Sequence, residues 1–177
     1  SLAHFPEIKD QVLIVNGFSK AFAMTGWRLG YLLGPSTILQ AVIKIHQFAI
    51  MSAPTTAQYA AIEALKNGQK NVDAMRLAYK ARRNLIVDGF NKMGLPTHLP
   101  KGAFYIFPDI RPTGLTSDEF CERLIKEQRV ACVPGTAFGE AGTGFIRVSY
   151  ASSLEEIKEA LSRIATFVEP FNLTSTK

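Results

Sequence analysis

A lysine and an arginine stand eight positions apart between two short apolar runs near the start of the chain. Lys20 follows Ser19, and Arg28 lies between a tryptophan and a leucine. A lysine amine can form a Schiff base with a carbonyl compound when desolvation or nearby positive charge lowers its pKa. An arginine offers a planar set of donors that suits phosphate oxygens, and a neighbouring hydroxyl can add to such a cradle. These types and this spacing predict a carbonyl-binding lysine beside a phosphate-binding arginine, although a solvated surface loop explains the spacing alone.

The whole stretch from Asn16 to Gly30 resembles the cofactor-lysine motif of class I aminotransferases, the fold-type I enzymes that use pyridoxal 5′-phosphate. The motif has a small residue, an apolar residue, Ser and Lys, then a spacer and Gly-x-Arg-apolar-Gly, which here reads GFSK and GWRLG. The resemblance implies that Lys20 is the catalytic lysine that carries the cofactor, and that Ser19 and Arg28 bind the cofactor phosphate. The chain departs from the motif at Gly17, where many members have a serine that adds a phosphate contact.

A third charged residue, Arg147, interrupts the apolar run from Gly144 to Ala151. An arginine in the middle of a buried strand is costly without an anionic partner, whereas an edge-strand arginine that points to solvent fits the same pattern. The resemblance implies that Arg147 binds the α-carboxylate of the substrate through a bidentate pair. It also implies that Phe104, in the Gly102–Pro108 segment, borders the substrate entrance, and that the Pro134–Gly139 loop only shapes the site.

Apolar periodicity and turn residues predict the elements that must position these side chains. Two short strands of the type that a parallel sheet buries on both faces flank the lysine. The predicted strands are 11–17, 29–33, 102–108, 130–133 and 144–151. The first two predicted helices are 36–48, capped by Ser36, and a helix capped by Thr55 or Thr56 that ends near Asn67. The other three are 72–93, a helix that starts at Thr116 or Ser117 and ends at Gln128, and 153–168, capped by Ser152 or Ser153.

Alternating strands and helices predict an α/β fold class. The resemblance implies the C-terminal part of the fold-type I fold, with residues 1–70 as the tail of the large cofactor-binding domain and 71–177 as the small domain. Because the chain opens on Ser1 in mid-pattern and family members are much longer, we expect a C-terminal fragment that is inactive alone. Its first seventy or so residues should then expose apolar surface.

Composition excludes several other functions. The chain has 177 residues, a net charge of +5 and no concentrated basic tract, so a nucleic-acid-binding role is not indicated. No apolar run is long enough to span a membrane, and no Cys/His spacing is typical of a metal site. The two cysteines, Cys121 and Cys132, are interpreted as free thiols of a cytoplasmic protein.

The resemblance to prokaryotic aspartate and aromatic aminotransferases predicts transamination between an amino acid and a 2-oxo acid by a homodimeric full-length protein. Two alternatives remain open on the same scaffold: a carbon–sulfur β-lyase and the aminotransferase-like ligand domain of a transcription regulator. Dicarboxylate-specific members carry an arginine near the position of Phe48, but this chain has none between Arg28 and Arg76. Strict specificity for aspartate is therefore not expected.

Overall fold

The computed structural model describes residues 1–173, which form two compact units. The first unit is Ser1–Met75, and the second begins at Arg76. The boundary falls within a long helix, α3, which spans Gln69–Lys92. The assignment of residues 1–70 and 71–177 to a large and a small domain stays a prediction.

The first unit contains a β-hairpin followed by helices. Its strands are β1 (Ile14–Gly17) and β2 (Gly30–Leu33), and its helices are α1 (Ser36–Ala49), α2 (Thr55–Asn67) and the first turns of α3. β1 and β2 form a two-stranded antiparallel sheet in which Gly17 lies opposite Gly30.

The prediction that the first strand is buried on both faces was wrong. β1 begins at Ile14, three residues later than predicted. Val15 on β1 is 82% exposed, and Leu33 on β2 is 52% exposed. Within residues 1–173, β1 and β2 pair only with each other, so no further strand adjoins either edge of the hairpin. The expected exposure of apolar surface in this part of the chain is thereby confirmed.

The first two long helices begin without the predicted side-chain caps. Pro35 and Pro54 occupy the N-cap positions of α1 and α2, and neither helix start has a side-chain cap hydrogen bond. The ring of a proline fixes its φ angle, which suits the residue before a helix. The serine or threonine that follows each proline is therefore the first helical residue. The small core of this unit contains Phe18, Met24 and Ala61.

The second unit is built on a three-stranded antiparallel sheet in the order β3-β5-β4. The strands are β3 (Tyr105–Ile106), β4 (Val133–Pro134) and β5 (Ile146–Ser149), and α4 (Ser117–Gln128) and α5 (Leu154–Val168) complete the unit with the remainder of α3. The strands are shorter than predicted, and β4 lies at the end of the predicted 130–133 segment. The chain leaves α4 through Arg129 in the left-handed conformation, and residues 130–132 form no ladder.

A single apolar cluster forms the core of the second unit. It is composed of residues from all three helices and from β3 and β5, among them Phe90, Ile106, Phe120, Ile146, Ile164 and Phe167. For α4 and α5, one of the two predicted start residues is confirmed as the cap, because Thr116 with Glu119 and Ser153 with Glu156 each form a complete capping box. Among residues 1–173, no helix is long and apolar enough to cross a membrane, and no group of three or more His, Cys, Asp or Glu could hold a metal ion.

Candidate active site

The connection between β1 and β2 carries three predicted site residues: Ser19, Lys20 and Arg28. The Gly17 and Gly30 pair closes its base, and the Phe18 amide donates a hydrogen bond to the Leu29 carbonyl oxygen at 3.2 Å. The same loop therefore places Lys20 three residues after β1 and Arg28 two residues before β2.

Two buried side chains anchor this loop. Phe18 and Met24 are 4% and 7% exposed, and the Phe18 ring lies 5.4 Å from the Tyr31 ring on β2. The Phe22 and Met24 amides both donate to the Phe18 carbonyl oxygen, at 3.2 and 3.4 Å. With these anchors inward, the loop exposes Lys20 and leaves Ser19 half-buried.

Two non-glycine residues of the loop adopt the left-handed conformation. Ala23 has φ 54° and Arg28 has φ 52°. The Nη1 atom of Arg28 donates to the Thr25 carbonyl oxygen at 3.0 Å, which holds the guanidinium against the loop. Such conformations cost on the order of 1–3 kcal/mol each and are concentrated at functional sites. The strain supports a functional interpretation of the loop.

Gly30 is required by the close approach of the two strands. A Cβ atom at Gly30 would lie 2.9 Å from the Asn16 carbonyl oxygen, whereas a Cβ at Gly26 would meet nothing within 4 Å. Gly30 therefore fixes the hairpin that carries the loop, and Gly26 lies beside open space.

The donor set of the loop fits pyridoxal 5′-phosphate. A primary amine on Lys20 can bind the aldehyde, and the Ser19 hydroxyl and Arg28 guanidinium can bind phosphate oxygens. The open space beside Gly26 leaves this side of the loop accessible.

Arg147 lies on β5, the central strand of the second unit's sheet. The alternative that it is an edge-strand arginine is therefore wrong. Ile146 is fully buried in the core, so the next residue, Arg147, points from the opposite face, where its side chain is half-buried. Among residues 1–173, no carboxylate forms a salt bridge with Arg147.

Two aromatic rings enclose the Arg147 guanidinium. Its Cζ atom lies 4.2 Å from the Phe138 ring centroid and 4.3 Å from the Tyr105 ring centroid. Tyr105 is paired with Ser149 on β5, so it is the diagonal neighbour of Arg147 on the same face of the sheet. Phe138 comes from the loop after β4, whose Val133 lies directly opposite Arg147. Rings on two sides leave the N–H edge of the guanidinium as the direction of approach for an anion.

Phe104 packs toward the core of the second unit. Its ring lies 4.5 Å from the Tyr105 ring and 6.2 Å from the Tyr79 ring. Its carbonyl oxygen accepts a hydrogen bond from the Tyr150 amide at 3.0 Å, and the Tyr150 hydroxyl donates to the Ala103 carbonyl oxygen at 2.9 Å. Burial raises the pKa of the Tyr150 hydroxyl, which therefore stays a donor. The predicted substrate contact of Phe104 stays a prediction beside this packing role.

The loop that carries Phe138 is closed by backbone contacts. The Gly135 amide donates to the Phe145 carbonyl oxygen at 2.8 Å, and a Cβ at Gly135 would lie 2.1 Å from the Gly142 carbonyl oxygen. Only glycine fits such an approach. The fixed loop ends determine where the Phe138 ring lies.

Sequence reasoning missed Tyr105 and Phe138 as neighbours of Arg147. The aromatic residues of both segments were visible in the sequence, but their contact with Arg147 depends on strand register. β3 and β4 have only two residues each, too few for an alternating pattern to define that register. The two groups of predicted residues, one around Lys20 and one around Arg147, belong to different units.

Comparison with known proteins identifies the class to which this loop and this arginine belong. The family described as aminotransferase class I and II matches residues 2–164. The chain belongs to this family. Solved fold-type I aminotransferases superimpose on the chain, so the predicted fold class, the C-terminal part of the fold-type I fold, is confirmed.

Particular relatives are similar over nearly the whole chain. An aspartate aminotransferase of Pyrococcus abyssi is 47% identical over 98% of this chain and 45% of its own length. Aromatic-amino-acid aminotransferase 2 of Thermococcus litoralis is 46% identical over 93% of this chain and 43% of its own length. The crystal structure of an aromatic aminotransferase from Pyrococcus horikoshii OT3 matches 98% of this chain and 47% of its own, with a TM-score of 0.92 and 48% identity. The chain thus spans less than half the length of the relatives that it matches.

Proposed function

We propose that the protein containing this chain is a pyridoxal 5′-phosphate-dependent aminotransferase that moves an amino group between an amino acid and a 2-oxo acid. The observation that carries the proposal is Arg147, an arginine on a central strand, enclosed by two rings and without a carboxylate partner among residues 1–173. A half-buried guanidinium of this kind is stabilised by an external anion, and every amino-acid substrate has a carboxylate.

Each residue of the lysine loop has its own role in this function. The Lys20 Nζ atom would hold the cofactor and, as a free amine, would take up the proton of the substrate α-carbon. Ser19 and Arg28 orient the cofactor through its phosphate. When bound, the cofactor supplies an electron sink for the negative charge that proton removal leaves.

Arg147 orients the substrate through a bidentate pair with the α-carboxylate. The Tyr105 and Phe138 rings restrict rotation of the guanidinium, so fewer arrangements compete with the bidentate one. Restricted orientation favours one position of the substrate α-hydrogen.

We assign the substrates to the aspartate or aromatic type and the assembly to a homodimer in the full-length protein. The named functions of the Pyrococcus abyssi and Thermococcus litoralis relatives support this substrate range. The absence of an arginine between Arg28 and Arg76 favours a range wider than aspartate alone.

The test is to identify the lysine that binds the cofactor. Full-length protein is loaded with cofactor, reduced with borohydride and digested, and the modified peptide is sequenced. We expect the adduct on Lys20, and Lys20→Ala should abolish both the adduct and transamination. Lys44→Ala, which changes a lysine of α1 outside the loop, should leave both unchanged. An adduct on any other lysine would reject the proposal.

A further inference from the structure

Two cysteines of the second unit face each other across a short gap. The Sγ atoms of Cys121 and Cys132 are 3.2 Å apart and share a hydrogen bond. This separation is about 1.2 Å longer than a disulfide bond of about 2.0 Å, so small side-chain rotations can close it. We propose that Cys121 and Cys132 are a modification site: they form a reversible intramolecular disulfide when low-molecular-weight disulfides oxidise them.

The elements around the pair support this assignment. Cys121 lies in the second turn of α4, and Cys132 immediately precedes β4. Both side chains belong to the core region, but Cys121 is 9% exposed whereas Cys132 is half-buried. The site is therefore held by a folded core and still has an edge that a small solute can reach.

The electrostatics of the pair favour one thiolate. The hydrogen bond with Cys132 lowers the pKa of the Cys121 thiol against the opposing effect of burial. The same hydrogen bond, together with burial, raises the pKa of Cys132. The hydrogen bond therefore stabilises one thiolate of the pair, and the thiolate is the form that attacks a disulfide.

The reaction balances as two thiol–disulfide exchanges. One of the two cysteine thiolates attacks a sulfur of the small disulfide, which gives a mixed disulfide on that cysteine and releases one small thiolate. The other cysteine then loses its proton to solvent, its sulfur attacks the protein sulfur of the mixed disulfide, and the second small thiolate leaves. Two protein thiols are oxidised to one disulfide, and the small disulfide is reduced to two thiols.

The bridge would connect α4 to the strand beside Arg147. Val133, the residue after Cys132, lies directly opposite Arg147 in the sheet. The disulfide site is nevertheless independent of the proposed enzymatic function, because neither sulfur is assigned a role in it.

The experiment treats the native chain with oxidised glutathione. We expect the two titratable thiols to disappear, the intact mass to fall by two hydrogens, and a peptide map to join the segments that contain Cys121 and Cys132. Dithiothreitol should restore both thiols. The matched variants Cys121→Ala and Cys132→Ala, which keep a small apolar side chain in place, should form no internal bridge, and the variant that retains the attacking cysteine should accumulate the glutathione adduct.

Two results would overturn the proposal. The first is wild-type protein that stops at a glutathione adduct. The second is native protein whose two thiols stay reduced, so that a bridge forms only in denaturant or not at all. Circular dichroism of each reduced variant checks that the fold is retained, so a missing bridge is not confused with unfolding.

Discussion

At the scale of single residues, two closely packed rings together with the lack of an acidic partner among residues 1–173 distinguish Arg147 from the other arginines with ring contacts. Arg123 also lies near two rings, but at 5.5 and 5.8 Å, and it forms a salt bridge with Glu127. Arg147 has closer rings and, within residues 1–173, no acidic partner. The difference fits an arginine that is kept available for an anion.

Substitutions at this arginine and its rings should affect substrate binding in a graded manner. In the full-length enzyme, Arg147→Ala should lower kcat/KM for amino acids by more than tenfold, because a bidentate charged contact is worth about 2–5 kcal/mol.

Phe138→Leu should raise KM about fivefold with little change in kcat, since a cation–π contact contributes about 1 kcal/mol. Phe138→Tyr should restore the wild-type KM.

Phe171→Leu is the matched control, because it removes a ring 5.8 Å from Arg123 instead of Arg147. Steady-state kinetics with aspartate and tyrosine as substrates give kcat and KM for Arg147→Ala, Phe138→Leu, Phe138→Tyr and Phe171→Leu. Equal effects of Phe138→Leu and Phe171→Leu on KM would show that the rings at Arg147 have no special role.

At the scale of elements, the two capping boxes predict how the second unit responds to acid. Backbone and hydroxyl hydrogen bonds from Thr116 and Ser153 lower the pKa of Glu119 and of Glu156 below their ordinary value of 4.5. A carboxylate with a lowered folded-state pKa stabilises the protein fully above the unfolded-state value, and this stabilisation is lost as pH falls through the folded-state pKa.

The measurement is the free energy of unfolding between about pH 6 and pH 3. Glu119→Gln and Glu156→Gln keep a cap acceptor but cannot ionise, so each should flatten the acid loss of stability. Glu155→Gln, a change in the same first turn but outside the capping box, is the control. Thr116→Ala should cost about 1 kcal/mol at neutral pH because the cap itself is removed. An unchanged acid profile in both glutamine variants would contradict the prediction.

The hairpin predicts different effects for two glycines of the lysine motif. Gly30→Ala should destabilise the first unit by about 1–3 kcal/mol, because its Cβ would lie 2.9 Å from the Asn16 carbonyl oxygen. A Cβ atom at Gly26 would have no other atom within 4 Å, so Gly26→Ala should leave the stability unchanged or raise it slightly. The only tryptophan, Trp27, lies in this loop, so urea titration followed by its fluorescence reports on the hairpin. Equal midpoints for the two variants would show that the strands do not approach so closely.

Element types followed from the sequence more reliably than strand bounds or contacts. The helices after Thr116 and Ser153 were predicted with their caps, because a capping box is a local pattern within four residues. The pairing of β1 with β2, and the rings around Arg147, depend on partners distant along the chain. The roles of Lys20, Ser19 and Arg28 stay predictions that rest on the motif and on the geometry of one loop.

At the scale of the whole molecule, the two units have cores of very different size. Among residues 1–173, the first unit's cluster contains Phe18, Met24 and Ala61, whereas the second unit's cluster contains fifteen buried residues. Apolar burial is the main source of stability, so the first unit should open more easily than the second.

Hydrogen exchange of the 177-residue chain tests this difference directly. Amides of the β1–β2 hairpin should exchange much faster than the Ile146 amide, which donates to the Pro108 carbonyl oxygen at 3.2 Å within the second core. Both segments are antiparallel pairs, so strand pairing alone does not distinguish them. Comparable protection in both units would contradict the inference from core size.

The closed loop that carries Phe138 also has a consequence for how substrate range can diverge over evolution. Its ends are fixed by the contact between Gly135 and Gly142, while Thr136, Ala137, Glu140 and Ala141 are exposed. A lineage can therefore exchange these four residues without moving the ring or the arginine beneath it. Neutral drift could then change the surface around the Phe138 ring while the ring and the proposed carboxylate-binding arginine keep their places.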